Sequence, residues 1–410
     1  MRILWVKAGK LLPVDTGGKI RSYNILRQLA KQHRVTLLSY YGGQRDESYE
    51  NEIRNHLPDA VAVNTGAPDA SGFDYLRRLA SRAPYAVTKF TSPDVQRVVA
   101  GWLDDGRFDV AVCDFLSASL NFPRELRTPT VLFQHNVESA LWKRQHAHEP
   151  NPLKRAVFAL EAAKMLRYER AAVRRFNHLI AVSESDREIM RTMTAESRIS
   201  VVPTGVDLQQ YQFAAGEAAA APLVVFLGSM DWEANIDAVE YFCRESWPRV
   251  RASVPGARFR IVGRNPHARV KRLASECIEV TGTVSSVIEH LREAAVVVVP
   301  LRVGGGTRLK IFEAMAMGKA VVSTSIGAEG LDVHADRDIL LADTAESFAN
   351  STVALLGDRE LRQRIELAAS ELAAQYDWSV IAGRFEQVLA RVAIDSESVD
   401  VAAAAAMVSA

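Results

Sequence analysis

Four valines stand in a row at Val296–Val299, followed by Pro300-Leu301. An apolar run this short and unbroken suits a strand buried on both faces, as in a parallel sheet covered by helices. The chain then reads Gly304-Gly305-Gly306-Thr307-Arg308-Leu309-Lys310-Ile311-Phe312-Glu313. Glycines let the backbone approach a ligand closely, and the free N–H groups of a helix start point at an anion. Arg308 and Lys310 add positive charge, and Glu313 follows with a carboxylate that can accept hydrogen bonds from sugar hydroxyls. The segment reads as the diphosphate cradle of a nucleotide-sugar site.

With 410 residues, the chain exceeds the size at which one hydrophobic core keeps growing, so two domains are expected. The 50 basic and 49 acidic residues leave a net charge of +1, so no global field favours nucleic acid. A local exception is 154–175, where seven cations face only Glu161 and Glu169. It reads as a solvated helix face or, more sharply, as a peripheral contact with a membrane bearing a lipid-linked substrate. Cys113, Cys243 and Cys277 are odd in number and widely spaced, as small core residues of a reducing compartment would be. No run reaches the roughly 18 apolar residues of a membrane span, and the first residues are too short an apolar stretch for a signal peptide. A cytoplasmic location is expected, with peripheral attachment to the cytoplasmic membrane left open.

Strand and helix alternate twice over, which predicts two parallel-sheet domains. Strands are expected at 2–6, 35–40, 109–114, 130–133 and 178–182, with one long helical stretch over 138–176. A second set restarts at 222–228 and continues at 258–262, 277–280, 294–299 and 320–323. The expected divisions are an acceptor-side domain at 1–208, a linker at 209–221 and a nucleotide-sugar domain at 222–375. A terminal helix at 376–394 is expected to return toward the first domain, and 395–410 to form a disordered tail. In open parallel sheets, ligands bind beyond the carboxyl ends of the strands.

Several of the segments that follow strands carry a resemblance. They are Pro13-Val14-Asp15-Thr16-Gly17-Gly18, Phe133-Gln134-His135-Asn136, Val182-Ser183-Glu184, Val202-Pro203-Thr204-Gly205-Val206-Asp207, and Phe312-Glu313-Ala314-Met315-Ala316-Met317-Gly318. Together they resemble the retaining glycosyltransferases of family 4 (group 1), over nearly the whole chain. With Gly228-Ser229-Met230-Asp231-Trp232, they are similar to bacterial sugar transferases tied to exopolysaccharide assembly. The resemblance implies the GT-B architecture, an α/β fold with two Rossmann-like, doubly wound parallel-sheet domains facing across a cleft. It also implies a nucleoside-diphosphate sugar donor, a glycan or lipid-linked acceptor, and no metal or other cofactor. Two departures stand out. Gly305 occupies the position of a second family Glu, and Gly228-Ser229-Met230-Asp231-Trp232 replaces an Arg and a later Lys after the first strand of the second domain.

The candidate site follows from both readings. Gly304, Gly305, Gly306, Thr307, Arg308, Lys310 and Glu313 are expected at the donor, with Gly228, Ser229 and Arg264 as secondary contacts at strand ends. Glu313 would contact ribose, although a carboxylate there could merely stabilise the helix dipole. His135 is expected to hydrogen-bond the donor sugar and steady charge at the reacting centre. Gly17, Gly18 and Arg21 would line the acceptor side, although a glycine pair also makes an ordinary tight turn. Asp336-Arg337-Asp338 is read as loop chemistry and not as a metal motif. Two alternatives stand beside the transferase: a sugar-nucleotide epimerase of the same architecture, and a non-catalytic sugar-nucleotide- or glycan-binding subunit of a polysaccharide-assembly complex.

Overall fold

A computed structural model describes residues 1–67, 74–75, 78, 81–149, 151–213, 221–303 and 309–408, without the side chains of 148 and 396–408. The chain forms two compact units, Met1–Pro203 with Ser379–Ala410, and Thr204–Trp378. The first holds β1 Arg2–Ala8, β2 Arg34–Tyr41, β3 Val61–Asn64, β4 Val110–Asp114, β5 Thr130–Phe133, β6 His178–Ala181 and β7 Ile199–Val201. They pair in parallel in the order β3-β2-β1-β4-β5-β6-β7. The second holds β8 Leu223–Leu227, β9 Arg258–Val262, β10 Ile278–Gly282, β11 Val296–Val299, β12 Ala320–Ser323 and β13 Leu340–Leu341. Their order is β10-β9-β8-β11-β12-β13, again parallel throughout.

Both orders reverse beside their first strand, between β1 and β4 and between β8 and β11. Adjacent connections there leave toward opposite faces, and a crevice opens at the carboxyl ends. The central strands are apolar because both faces are covered. Ile3, Leu4, Trp5, Val6 and all four valines of β11 have no exposed surface. β3 and β7, absent from the sequence reading, are short outer strands with only partial burial, so their apolar pattern is weak.

The stretch 138–176 is two helices, Glu138–His148 and Pro152–Arg175, where one was expected. Pro152 opens the second, and the Asn151 side chain accepts from Leu153 N and Lys154 N at 3.0 and 3.1 Å. Asp358 likewise separates two helices, ending Ala345–Gly357 and capping Arg359–Ala374. The last helix runs Trp378–Val408, across the segment read as a disordered tail. Alanine is the best helix former, and Ala402-Ala403-Ala404-Ala405-Ala406 lies within it. The second unit begins and ends side by side: Val206 N donates to Tyr376 O at 2.8 Å, and Trp378 N to Val206 O at 3.2 Å. Gly205 is required there, since a Cβ would lie 2.6 Å from the Trp378 ring.

The helix Glu138–His148 starts three residues after His135, and no side chain at its own N-cap serves it. Glu169, from the following helix, does so instead. Its carboxylate, 1% exposed, accepts from Glu138 N (2.9 Å), Ser139 N (3.1 Å), Gln134 Nε2 (2.7 Å) and Ser139 Oγ. Removing it strands several buried donors, each costing about 1–3 kcal/mol if unsatisfied. Glu169→Ala is therefore expected to lower stability by about 3 kcal/mol or more in urea unfolding.

Candidate functional site

In the first unit, the carboxyl ends of β1, β4 and β5 converge on Asp114, which is fully buried. Its Oδ2 accepts from Lys7 Nζ (3.0 Å), Trp5 Nε1 (3.0 Å) and Ser22 Oγ (2.7 Å), and Oδ1 lies 2.8 Å from His135 Nε2. Arg21 Nη1 lies 2.9 Å from His135 Nδ1. A guanidinium can only donate, so Nδ1 accepts and the imidazole proton sits on Nε2, directed at Asp114. Burial would raise the Asp114 carboxyl, but Lys7 and His135 outweigh it and hold the group well below the carboxylate range. Burial lowers His135 to about 3 despite Asp114, which makes it a neutral imidazole near pH 7. Arg21 is lowered to about 10 by burial, against Asp186 and Asp114.

His135 is thus 2% exposed with both nitrogens engaged. Phe115 stacks on its face at 3.8 Å between centroids, and Phe133 lies at 4.2 Å. Gly17 and Gly18 open the helix Gly17–Leu29, and Gly18 lies against Phe115. The structure brings Gly18, Arg21 and His135 into one cluster. Lys7, Ser22, Asp114 and Phe115 complete it, and none of these four stood out in the sequence. The one signal that could have found Asp114 is a carboxylate closing an otherwise apolar strand.

The second cluster lies at the carboxyl end of β8. Gly228 N donates to Val262 O (3.0 Å), and a Cβ on Gly263 would meet Gly228 O at 1.6 Å, so the two chains touch. Arg264 Nε donates to Ser229 Oγ (3.0 Å), which donates to Asp231 Oδ1 (2.6 Å). Asn235 links this loop to the helix Leu309–Ala316. Its Nδ2 donates to Ser229 O (2.9 Å) and its Oδ1 accepts from Lys310 Nζ (3.1 Å). The ammonium also lies 4.4 Å from the centre of the Phe226 ring. A Cβ on Gly228 would come within 2.9 Å of Lys310 Nζ, so the glycine leaves the room that the lysine occupies.

Glu313 is partly buried and hydrogen-bonded by the Tyr211 hydroxyl. Burial raises its carboxyl, opposed by Tyr211 and by the charge of Lys310. Gly228, Ser229, Arg264, Lys310 and Glu313 therefore belong to one region, with Asn235 and Tyr211 as members that sequence reasoning missed. Gly304, Gly305, Gly306, Thr307 and Arg308 lie outside the described residues. Asp338 of the Asp-x-Asp segment turns inward to accept from His334 N at 2.8 Å and pairs with His334 Nδ1 at 3.1 Å.

Glu138, beside the first cluster, has its carboxyl raised to about 7 by burial and by Glu169, against Lys89. Its unfolded value is about 4.3. The unfolded state therefore ionises first, and stability is lost as pH rises from about 4.3 to the folded value. Glu138→Gln is expected to be more stable than the parent at pH 8, the gain vanishing at pH 4, in paired urea titrations.

The Glycosyltransferase Family 4 model matches residues 16–210, and the model described as glycosyl transferases group 1 matches 221–358. The chain is 27% identical to a phosphatidyl-myo-inositol mannosyltransferase of Mycolicibacterium smegmatis over 290 residues, 63% of this chain and 74% of that protein. It is 25% identical to the Mycobacterium leprae protein of the same description over 344 residues, 76% and 81% of the two chains. Among solved structures, a sucrose-phosphate synthase from Thermosynechococcus elongatus superposes with a TM-score of 0.71 at 16% identity, covering 96% of this chain and 99% of that one. Anabaena HepE in complex with UDP and glucose gives 0.67 at 14% identity, covering 95% and 100%.

Proposed function

Because the chain belongs to the glycosyltransferases of group 1 and family 4, with the GT-B fold, we propose that it moves a hexose from a nucleoside-diphosphate sugar to an acceptor hydroxyl, with retention at the anomeric carbon and no metal. The observation that carries this reading is the assembly of Gly228, Lys310, Asn235, Glu313 and Tyr211 at the switch point of the second sheet. It would offer the Lys310 ammonium to a diphosphate and a held carboxylate to ribose. HepE, of like fold, was solved with UDP and glucose.

In this reading the departing diphosphate gathers negative charge as the glycosidic bond breaks. Lys310 and Arg264, with Arg308 and the glycine segment, stabilise that charge. The diphosphate then takes the proton of the incoming hydroxyl on the same sugar face. The first unit serves the acceptor through the loop of Gly17 and Gly18. Arg21 and His135, buried with both ring nitrogens engaged, act on the reacting centre through their hydrogen-bonded cluster and not by the direct sugar contact expected from the sequence. Loss of a hydrogen bond from a charged group costs about 1.5–3 kcal/mol, or roughly 10- to 150-fold. Glu313→Ala is expected to lose that much transfer activity with unchanged circular dichroism. The assay follows nucleoside-diphosphate release across a panel of UDP- and GDP-hexoses, with product anomers assigned by NMR. A folded Glu313→Ala protein at parental rate would overturn the ribose role. Donor binding without turnover in the parent would favour the non-catalytic subunit.

The acceptor is proposed to be a glycan or lipid-linked alcohol used in exopolysaccharide or other cell-surface glycan synthesis, met at the cytoplasmic membrane face. The helix Pro152–Arg175 supports this. Its two carboxylates, Glu161 and Glu169, are buried, Glu161 with Lys164 (2.9 Å). Lys154, Arg155, Arg167 and Arg170 are exposed beside Leu153 (79% exposed) and Leu160 (48% exposed). Leu153, Ala156, Leu160 and Ala163 recur at helical spacing on one outward stripe, which suits shallow insertion among anionic headgroups. No helix among the described residues is long and apolar enough to cross a membrane. Each basic residue near an anionic surface contributes about 1 kcal/mol. Reversing Lys154 and Arg155 to Glu is expected to weaken binding to phosphatidylglycerol vesicles about 30-fold or more. Donor hydrolysis should stay unchanged, and equal sedimentation of variant and parent would reject the contact.

A further inference from the structure

Phe115, immediately after β4, has φ 71° and ψ 151°. This region of backbone space is open in practice to glycine alone, because a Cβ crowds the neighbouring peptides. A large aromatic residue persists there only where its surroundings over-determine it. Here they do: Phe115 N donates to Phe133 O at 3.0 Å, and its carbonyl accepts from Ala118 N at 3.2 Å. The ring lies parallel to the His135 imidazole, with an interplanar angle of 11°, and Lys7 Nζ is 5.2 Å from its centre. Gly18 lies beside both rings: a Cβ there would be 2.8 Å from Phe115 Cζ, 2.9 Å from Cε2 and 3.7 Å from His135 Nδ1. The glycine loop, the strained residue and the histidine thus form one stack.

We propose that Phe115 is a positioning residue: its strained backbone presses the ring onto His135, excludes water from the imidazole and holds it as one neutral tautomer between Arg21 and Asp114. The proposal rests on the reading that His135 serves the reacting centre. An imidazole with Nδ1 accepting and Nε2 donating has one orientation, whereas a hydrated ring could flip and charge. The charged groups around it are Lys7 from β1, Arg21 from the glycine-loop helix and Asp114 from β4, with Asp186 acting on Arg21. Burial is what makes the ring neutral; Asp114 opposes it by hydrogen bond and charge, and Arg21 and Lys7 only partly offset Asp114, so the neutral form depends on keeping water out. Removal of the ring readmits water and restores protonation.

The test uses the full chain with Phe115→Gly, Phe115→Leu and Phe115→Tyr, and Gly18→Ala, which crowds the ring while residue 115 stays phenylalanine. Nitrogen NMR of the His135 imidazole reads tautomer and titration, and steady-state turnover reads kcat and KM against pH. In Phe115→Gly the backbone strain disappears, so the protein is expected to fold with little loss in Tm. His135 should then titrate between about pH 5 and 7, and kcat should fall roughly 10- to 100-fold, with the loss deepening toward acid. Donor KM should hold. Phe115→Tyr should restore both readouts, and Gly18→Ala should reproduce the loss. A non-titrating, single-tautomer His135 in Phe115→Gly and Phe115→Leu, with parental kcat, would overturn the role of Phe115. Parental turnover in folded His135→Ala or His135→Gln would instead remove the reading of His135 on which the proposal stands.

Discussion

Asp114 carries a full negative charge to the end of a central strand with no access to water, and the first unit is arranged around that fact. An uncompensated buried carboxylate would take up a proton or unfold its surroundings. Lys7 and Trp5 come from β1, Ser22 from the helix after the glycine loop, and His135 from the end of β5, all within 3.0 Å. Trp5 reaches in from the middle of β1 and Ser22 from the second turn of the next helix, while Lys7 and His135 sit at or just beyond the carboxyl ends of their strands. Polar side chains can gather there because helices cover both faces of the sheet elsewhere. Satisfying one charge therefore also orients the residues nearest the switch point.

The second unit solves a related problem with the opposite sign. Lys310 would find an unfavourable dipole near the start of its helix. It reaches Asn235, the face of Phe226 and the charge of Glu313 instead. Gly228 is part of that arrangement because any side chain would displace the ammonium. Both units thus place a cation at the topological switch of a parallel sheet, one bound to a buried carboxylate and one held by an amide and an aromatic face with the charge of Glu313 acting on it.

The strand positions were legible because buried parallel strands are locally apolar, as in Val296–Val299 and Val110-Ala111-Val112-Cys113. What failed were features with weak local patterns. The outer strands β3 and β7 are short and half-wet, and the break at Asn151-Pro152 was hidden in a long helical period. Of the residues that gather at the end of β8, the candidates Lys310, Glu313, Gly228, Ser229 and Arg264 were legible from glycines and charges at strand ends. Asp114, Asn235 and Tyr211 were not, because an isolated polar residue has no periodicity. The basic character of Pro152–Arg175 was legible as well, but not that both of its carboxylates, Glu161 and Glu169, are buried.

By itself the sequence determined two parallel-sheet units, the glycine segments at their strand ends and the family to which these belong. Periodicity, turn chemistry and motif spacing act over a few residues and are written in order along the chain. Tertiary structure decided which polar groups meet. Asp114 finds Lys7 107 positions away, and Tyr211 finds Glu313 across much of the second unit. Those pairings depend on strand order, because buried donors and acceptors must be satisfied by whatever the topology brings beside them. The backbone of Phe115 is the extreme case. No rule of local preference places an aromatic residue at φ 71°; its backbone bonds to Phe133 and Ala118 and the packing of His135 and Gly18 around its ring hold it there.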